Sequence, residues 1–188
     1  MANIEEYKMH REEIMYLMKK RDSFLTYAYT TMAAIWSISF TTDIGWITFF
    51  GMSLLVVFAL KNLDLAKSLM RLSAYLSECL EPHLDIKWET LNTEYHSEND
   101  DKEKATFHFL LGRLDFIILQ IVNVCVFWVI EHEYVFTNSI LSIVIIIAQI
   151  LIFLYQIRIA YKDSKTSKYK SDAINKWKKV LAKEIGDN

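Results

Sequence analysis

Histidine and glutamate side chains, which bind metals or transfer protons in many proteins, gather in the middle of the chain. Glu78 and Glu81 lie three residues apart, a spacing that puts two carboxylates on one helix face, as acid–base chemistry would require. No nucleophile or base accompanies them. A metal site would have to use four residues whose spacing matches no known ligand pattern: His83, Glu89, His96 and His108.

The motifs that usually carry catalysis are missing from the sequence. It has no Gly-rich phosphate loop and no GxSxG, CxxC or HExxH motif. We therefore expect no catalytic residue, no metal site and no bound cofactor, and we expect that the protein is not an enzyme. Instead, Tyr75 and Trp88 are predicted to pack a helical bundle, and Glu81 is predicted to anchor the turn next to Pro82.

Amide and hydroxyl side chains within apolar segments are the other candidates for function. Asn123 and Gln149 lie at similar depth in two such segments, so their amides are placed to hydrogen-bond each other, with Gln120 one turn from Asn123 on the same face. A second polar stripe follows one face of the first segment: Thr26, Thr30, Ser37 and Thr41. Both sets are interpreted first as contacts that hold helices together. The alternative is a lining for an ion or water path.

These residues lie in four apolar segments: Phe24–Thr41, Trp46–Leu60, Leu114–Ile130 and Ile140–Ile157. The segments approach the roughly 17–25 residues that cross a bilayer as a helix, although the second is short. Glycine and proline are scarce, with four Gly and one Pro in 188 residues, so the helices have no obvious reason to stop at a membrane surface. The sequence predicts an all-α integral membrane protein whose four transmembrane helices extend into a cytoplasmic helical bundle.

The distribution of basic residues predicts the topology. All 21 Lys and Arg residues precede the first segment, separate the second from the third, or follow the fourth. The short connections Thr42–Gly45 and Glu131–Asn138 contain none. Because cytoplasmic loops carry the excess of Lys and Arg, both termini and the long middle segment are predicted to be cytoplasmic.

Five parts follow from this topology. In chain order they are a cytoplasmic amphipathic helix (1–23), a first transmembrane hairpin (24–60), a cytoplasmic helical segment with an acidic loop (61–113), a second hairpin (114–157) and a basic cytoplasmic helical tail (158–188). Apolar stripes in the cytoplasmic parts need a partner and are predicted to pack together. The alternative is that each stripe lies separately on the membrane surface.

Charge is segregated between the cytoplasmic parts, since acids dominate residues 78–103 and bases dominate residues 158–183. One interpretation is that the two regions neutralise each other within or between subunits. The other is a basic rim for anionic lipid and an acidic patch for a protein partner. The residues of that acidic patch are Glu94, Glu98, Asp100 and Asp101.

The layout resembles small multi-pass membrane proteins of bacterial anti-phage systems. The likeness lies in Ile4–Arg21 leading into the closely spaced hairpin Phe24–Leu60, followed by the helical stretch Lys61–Glu81. SLATT-type membrane effectors share this plan, and the second hairpin fits better with the four-span membrane subunit of the Kiwa system. The resemblance implies an oligomer in the bacterial inner membrane that senses or executes infection-triggered membrane damage together with a cytoplasmic protein. No catalytic residue is carried over.

The first functional hypothesis is thus a homo-oligomer, with a tetramer favoured, that acts as a sensor or membrane-perturbing effector in anti-phage defence. One alternative is a membrane anchor or scaffold for a soluble enzyme, and another is a small ion channel or transporter unrelated to defence. The lipid bilayer is a partner under all three hypotheses. Direct nucleic-acid binding is not expected, because the basic tail carries no nucleic-acid-binding signature.

Overall fold

The computed structural model is helical, with no β-strand among the residues that it describes. It describes residues 4–91, 102–137 and 139–186, and the side chains of residues 4–91, 114–132, 140–165 and 168–183. The predicted partner surface lies outside the described residues and stays a prediction: Glu94, Glu98, Asp100 and Asp101. The side chains of His96 and His108 also lie outside them.

The labelled α-helices are, in chain order, α1 (Ile4–Thr42), α2 (Trp46–Tyr75), α3 (Glu81–Leu84), α4 (Lys102–Thr137), α5 (Ser139–Asp163) and α6 (Thr166–Gly186), and residues 88–91 form a further helical turn. A single π-helical turn, Leu76–Leu80, joins α2 to α3. The prediction that helices run beyond the apolar segments is confirmed for α1, which begins at Ile4, and for α2, which continues to Tyr75. The scarcity of Gly and Pro accounts for this length.

The chain divides into two compact units. The first, called the polar unit here, takes its described residues from Met1–Arg21, Asp64–His108 and Lys165–Asn188. The second, called the apolar unit, comprises Asp22–Leu63 and Phe109–Ser164. Both α1 and α2 supply residues to each unit.

Three described helical stretches are long and apolar enough to cross a membrane: Trp46–Leu84, Leu114–His132 and Ile140–Asp163, with mean hydropathy of 1.7, 2.0 and 2.6. The segment Phe24–Thr41 within α1 is not among them, because its Ser, Thr and Tyr residues dilute its apolar character. An all-helical protein with three such helices is consistent with a membrane protein. The fourth span and the cytoplasmic location of a bundle stay predictions.

Helix α5 displays an apolar surface that water would not favour. Only 17% of its most apolar window is buried inside the structure. Ile140, Leu151 and Leu154 are each more than half exposed. A continuous apolar face of this kind is typical of a helix that contacts lipid or another protein.

The core of the apolar unit follows the helical period. On α1 the buried residues are Ala28, Met32, Ile35 and Ser39, at intervals of three or four. Aromatic rings fill one part of the unit: Phe127 contacts Trp46 and Phe49 edge to face, with ring centroids 5.6 and 5.2 Å apart. Such edge-to-face pairs add to the free energy gained from burying apolar area.

The polar unit packs around a small apolar cluster of Tyr7, Ile14, Leu76 and Leu80. The π-helical turn that contains two of these residues comes just before Pro82, which follows the first residue of α3. In a regular α-helix the ring of Pro82 would clash with the carbonyl four residues earlier. The wider π-helical turn relieves that clash, and it leaves the side chain of Glu81 buried.

Candidate functional site

Asn123 joins three helices of the apolar unit. Its side chain is fully buried. The indole Nε1–H of Trp36 on α1 donates to Asn123 Oδ1 at 2.9 Å, and Asn123 Nδ2 donates to the carbonyl of Thr48 on α2 at 2.8 Å. Since Asn123 itself lies on α4, its amide connects α1, α2 and α4.

Gln149 makes a second polar contact in the same unit. The indole Nε1–H of Trp128 donates to Gln149 Oε1 at 2.9 Å, which joins α4 to α5. The expectation that Asn123 and Gln149 bond each other is therefore wrong for these described side chains, since each amide oxygen accepts from an indole instead. An indole ring has a single N–H donor, and this donor needs an acceptor when the ring is buried.

Gln120 is fully buried, as expected for a residue on the face of Asn123, but its amide does not join helices as those of Asn123 and Gln149 do. Neither of its amide atoms has a hydrogen-bond partner within the described part of the chain. Gln156 on α5 is in the same state, with 1% of its surface exposed. Unpaired amides in an apolar environment cost free energy, so these two glutamines weaken the unit unless water reaches them.

The hydroxyl stripe of α1 is exposed: Thr26, Thr30, Ser37 and Thr41. Three of its hydroxyls donate to carbonyls of their own helix. Thr30 bonds to Thr26 O at 3.1 Å, and Thr41 bonds to Ser37 O at 2.7 Å. Through such a bond, a hydroxyl in an apolar medium finds its acceptor in its own helix and does not need a second helix.

The turn between α1 and α2 contains a site that sequence reasoning missed. The Gly45 backbone N–H donates to Glu131 Oε1 at 2.8 Å, and the Glu131 side chain is buried. Gly45 comes just before α2, so this carboxylate also lies at the positive end of the helix dipole. A second carboxylate contact joins α1 to α4, where Tyr29 donates to Asp115 at 3.0 Å.

Gly45→Ala is expected to destabilise the apolar unit by about 1–3 kcal/mol. A Cβ at this position would clash with Glu131 Cγ, and the side chain would have to leave the N–H that it accepts from. The measurement is the unfolding free energy of the full chain in mixed micelles of mild detergent and SDS. Gly51→Ala is the control, because its Cβ would approach only the mobile end of Met32, at 3.0 Å, and two Ile35 atoms at 3.3 Å. Equal losses for both variants would contradict the importance of the Glu131 contact.

Glu81 organises the polar unit. It is 3% exposed and receives four hydrogen bonds. Its Oε1 accepts from the Glu89 backbone N–H at 2.6 Å and from the Tyr7 hydroxyl at 3.4 Å. Its Oε2 accepts from the N–H and the hydroxyl of Thr90, at 3.1 and 2.7 Å. The prediction that Glu81 anchors the turn is confirmed by these contacts.

Glu89 is the second buried carboxylate of the polar unit, 4% exposed. Ser73 donates to its Oε2 at 2.7 Å, while Arg11 and Lys170 pair with it at 3.6 Å each. The Arg11 guanidinium also lies 3.3 Å from the ring centroid of Trp88. Glu89 thus joins α1, α2 and α6. Trp88 packs against Arg11 but is 48% exposed, so the prediction that it packs the bundle is met on one face of its ring.

Burial raises the pKa of the Tyr75 phenol to about 12, and its hydrogen bond to Glu6 Oε1 at 2.9 Å adds to the increase. Burial raises the pKa of Tyr7 as well, aided by the charge of Glu81. In both cases the folded state prefers the neutral phenol, because a phenolate would be desolvated and would face a carboxylate.

The stability of the polar unit is expected to decline as the pH rises from about 10 to about 12. The unfolded chain releases the Tyr75 proton near pH 10, whereas the folded chain holds it until about 12. The contribution of Tyr75 is therefore complete below pH 10 and is lost as the pH approaches its folded pKa. The measurement is the thermal midpoint against pH for wild type and Tyr75→Phe, with circular dichroism at pH 8 as the control for folding. Parallel curves over this pH range would contradict the prediction.

The two carboxylates hold helices together. All four of their oxygens are occupied by donors or cations of the protein itself. Among the described residues, no group of three or more His, Cys, Asp or Glu side chains is placed to hold a metal ion. The contacts of Glu81 and Glu89 hold α1, α2 and α6 together around one turn.

Comparison of the chain with protein-family models, curated protein sequences and solved structures finds no match.

Proposed function

We propose that this chain is a non-enzymatic, four-span protein of the bacterial inner membrane that senses membrane damage in anti-phage defence. It assembles as a homo-oligomer, with a tetramer favoured, and engages a soluble cytoplasmic protein. The polar unit and both termini lie in the cytoplasm, in agreement with the positions of Lys and Arg.

The observation that favours a sensor over a pore is the pairing of Asn123 within a single chain. A residue that lined an ion path would keep polar atoms directed to water, but both ends of this amide bond to neighbouring helices. The same holds for the oxygen of Gln149. A rigid apolar unit of this kind suits an anchor and sensor better than a pore within one subunit.

The fourth span is supported by the position of residues 22–42 of α1. They belong to the apolar unit together with Leu114–His132, Ile140–Asp163 and residues 46–63 of the third membrane-length stretch. Three of their polar side chains are bonded in ways that an apolar medium requires. Trp36 and Tyr29 donate to α4, and the Thr30 hydroxyl bonds to its own helix.

The test joins topology, assembly and phenotype. A C-terminal fluorescent protein that matures only in the cytoplasm reports the side of the terminus, and the mass of the complex in nanodiscs reports stoichiometry and co-purifying protein. A defined homo-oligomer that carries a stoichiometric cytoplasmic protein, and that lowers phage yield only with that protein, is expected. A monomer without a partner, or unchanged phage yield, would count against the proposal.

A membrane-perturbing effector is the second candidate, favoured by the exposed hydroxyl stripe of α1. In a ring of subunits this face would border the central axis. Replacement of its members with residues of similar shape, Thr30→Val and Ser37→Ala together, would then abolish depolarisation on infection but leave abundance unchanged. If infected cells keep their membrane potential with the wild-type protein, this candidate is eliminated and the sensor is retained.

A further inference from the structure

A groove of about 620 Å³ lies between α2 and α6 in the polar unit. Two of its basic residues, Lys67 and Arg71, are one turn apart on α2. Tyr169, Lys176 and Trp177 face it from α6 at intervals of seven and one, which keeps all three on one side of that helix. The groove therefore has basic and aromatic groups on opposing walls.

The charge of the groove is positive. Lys67, Arg71 and Lys176 stand against one lining acid, Asp172, and Asp64 lies 4.0 Å from the Lys67 Nζ on the exposed side. Within the described part of the chain, no carboxylate pairs with Arg71 or Lys176.

Other lysines of α6 differ from Lys176 in this respect. Lys170 pairs with Glu89 at 3.6 Å and Lys178 pairs with Glu78 at 3.7 Å. These two lysines are neutralised by carboxylates within the fold, while Arg71 and Lys176 in the groove are left to attract an anion from outside.

The groove also has aromatic groups on its walls. Trp177 packs against Tyr75 with ring centroids 4.9 Å apart, so its ring is held in place. The Nζ of Lys67 lies 5.5 Å from the ring centroid of Tyr169. Ala173, at 6% exposure, also lines the groove from α6. A ligand that fits here carries an anionic group and an adjacent apolar part.

We propose that this groove binds the phosphodiester headgroup of an anionic phospholipid, with the glycerol and first methylenes against Tyr169 and Trp177. The inference rests on the proposed function, since it requires a membrane next to this end of α2. Basic pockets next to transmembrane helices on the cytoplasmic side are a recurring way to hold anionic headgroups.

The position of Lys67 along α2 favours a lipid over a soluble phosphate. Lys67 follows the apolar segment Trp46–Leu60 by about 10 Å at a rise of 1.5 Å per residue. The headgroup layer is about 5–7 Å thick on each side of the hydrocarbon core. Helical side chains tilt toward the N-terminus, here toward the apolar segment, so the Lys67 ammonium reaches the depth of the phosphates.

The experiment measures binding of phosphatidylglycerol to the full chain in detergent, by native mass spectrometry and by the rise in the thermal midpoint. Phosphatidylcholine is the reference lipid. Each cation near an anionic headgroup contributes about fivefold in affinity, so a triple variant is expected to lose about 100-fold. That variant is Lys67→Gln, Arg71→Gln and Lys176→Gln.

A matched control changes the same number of charges outside the groove: Lys168→Gln, Lys179→Gln and Lys183→Gln, all exposed on α6. It is expected to keep wild-type affinity. Asp172→Asn tests the groove in the opposite direction, because removal of its one acid is expected to tighten binding severalfold. A gain of this kind does not arise from misfolding.

Three outcomes would overturn the inference. Equal losses of affinity in the groove variant and the control would show that binding depends only on overall charge. Displacement of phosphatidylglycerol by ATP or inorganic phosphate would assign the groove to a soluble phosphate. A groove variant that inserts and assembles normally yet keeps its preference for phosphatidylglycerol would remove the site and leave the proposed function standing. A chain that does not fractionate with membranes would defeat the proposed function itself.

Discussion

Glu89→Ala is expected to lower the stability of the polar unit by about 3–5 kcal/mol, one of the two largest effects of any single substitution that we predict. The carboxylate is buried and balances Arg11 and Lys170, whose side chains are 29% and 15% exposed. Its removal takes the buried carboxylate away from two partly buried cations and leaves the Ser73 hydroxyl without its acceptor. Arg11 cannot simply move into water, because its guanidinium is packed on Trp88.

The measurement is hydrogen exchange of the backbone amides in residues 70–91 of the full chain in detergent, which reports local opening without assuming that both units unfold together. Glu78→Ala is the matched control. Glu78 also pairs with a lysine of α6, but Lys178 is 62% exposed, so the loss is expected to stay below about 1 kcal/mol. Similar losses of stability for the two variants would show that the burial of Glu89 does not strengthen its ion pairs.

A second variant separates the charge from the packing. Replacing Glu89, Arg11 and Lys170 together with apolar residues of similar length, Glu89→Leu, Arg11→Met and Lys170→Met, is expected to recover much of the lost stability. Buried ion pairs are often no more stabilising than apolar residues of the same volume, and the main cost comes from one charge left alone. If the triple variant is as unstable as Glu89→Ala, the hydrogen bond from Ser73 is the dominant contact instead.

The helical architecture was accessible from the sequence because it depends on local signals. Long runs without Gly or Pro predict long helices, and α1 and α2 extend past the apolar segments as expected. The role of Glu81 was accessible too, since the backbone donors that it accepts from, Glu89 and Thr90, are only 8 and 9 residues along the chain. These inferences require only neighbours along the chain.

The partners of the buried polar residues were not accessible, because they depend on how the helices rotate about their axes. Asn123 and Gln149 were predicted to lie at similar depth, but depth does not decide which face of a helix meets which neighbour. A signal was present in Trp36 and Trp128, whose indole donors need acceptors inside an apolar segment. Glu89 is far along the chain from both Arg11 and Lys170, and no local pattern specifies their contacts.

Asn123→Leu is expected to produce the largest loss in the apolar unit, about 2–3 kcal/mol, because two hydrogen bonds that join three helices disappear together. Contacts of this type in membrane helices contribute about 0.6–2 kcal/mol each. The Trp36 indole would also be left with a donor and no acceptor. The measurement is unfolding of the full chain by SDS in mixed micelles, followed by tryptophan fluorescence.

Two neighbours form a graded series with Asn123 and provide its controls. Gln149→Leu removes one bond, to Trp128, and is expected to cost about 1 kcal/mol. Gln120→Leu removes none, since both atoms of that buried amide lack partners within the described part of the chain, and it is expected to be neutral or stabilising. An order with Gln120 as the most costly position would mean that its amide has a partner in the assembled protein.

The same series separates a sensor from a channel. In a sensor built on a rigid apolar unit, activity should follow stability, so that Asn123→Leu impairs defence and Gln120→Leu does not. In a channel, a buried amide that does not contribute to packing is the residue that would contact a passing ion or water. Gln120→Leu would then abolish conduction while the fold is unchanged or more stable. Loss of function without loss of stability at Gln120 would therefore replace the sensor with a conducting protein, and the opposite pattern would confirm that these polar residues serve to hold the helices.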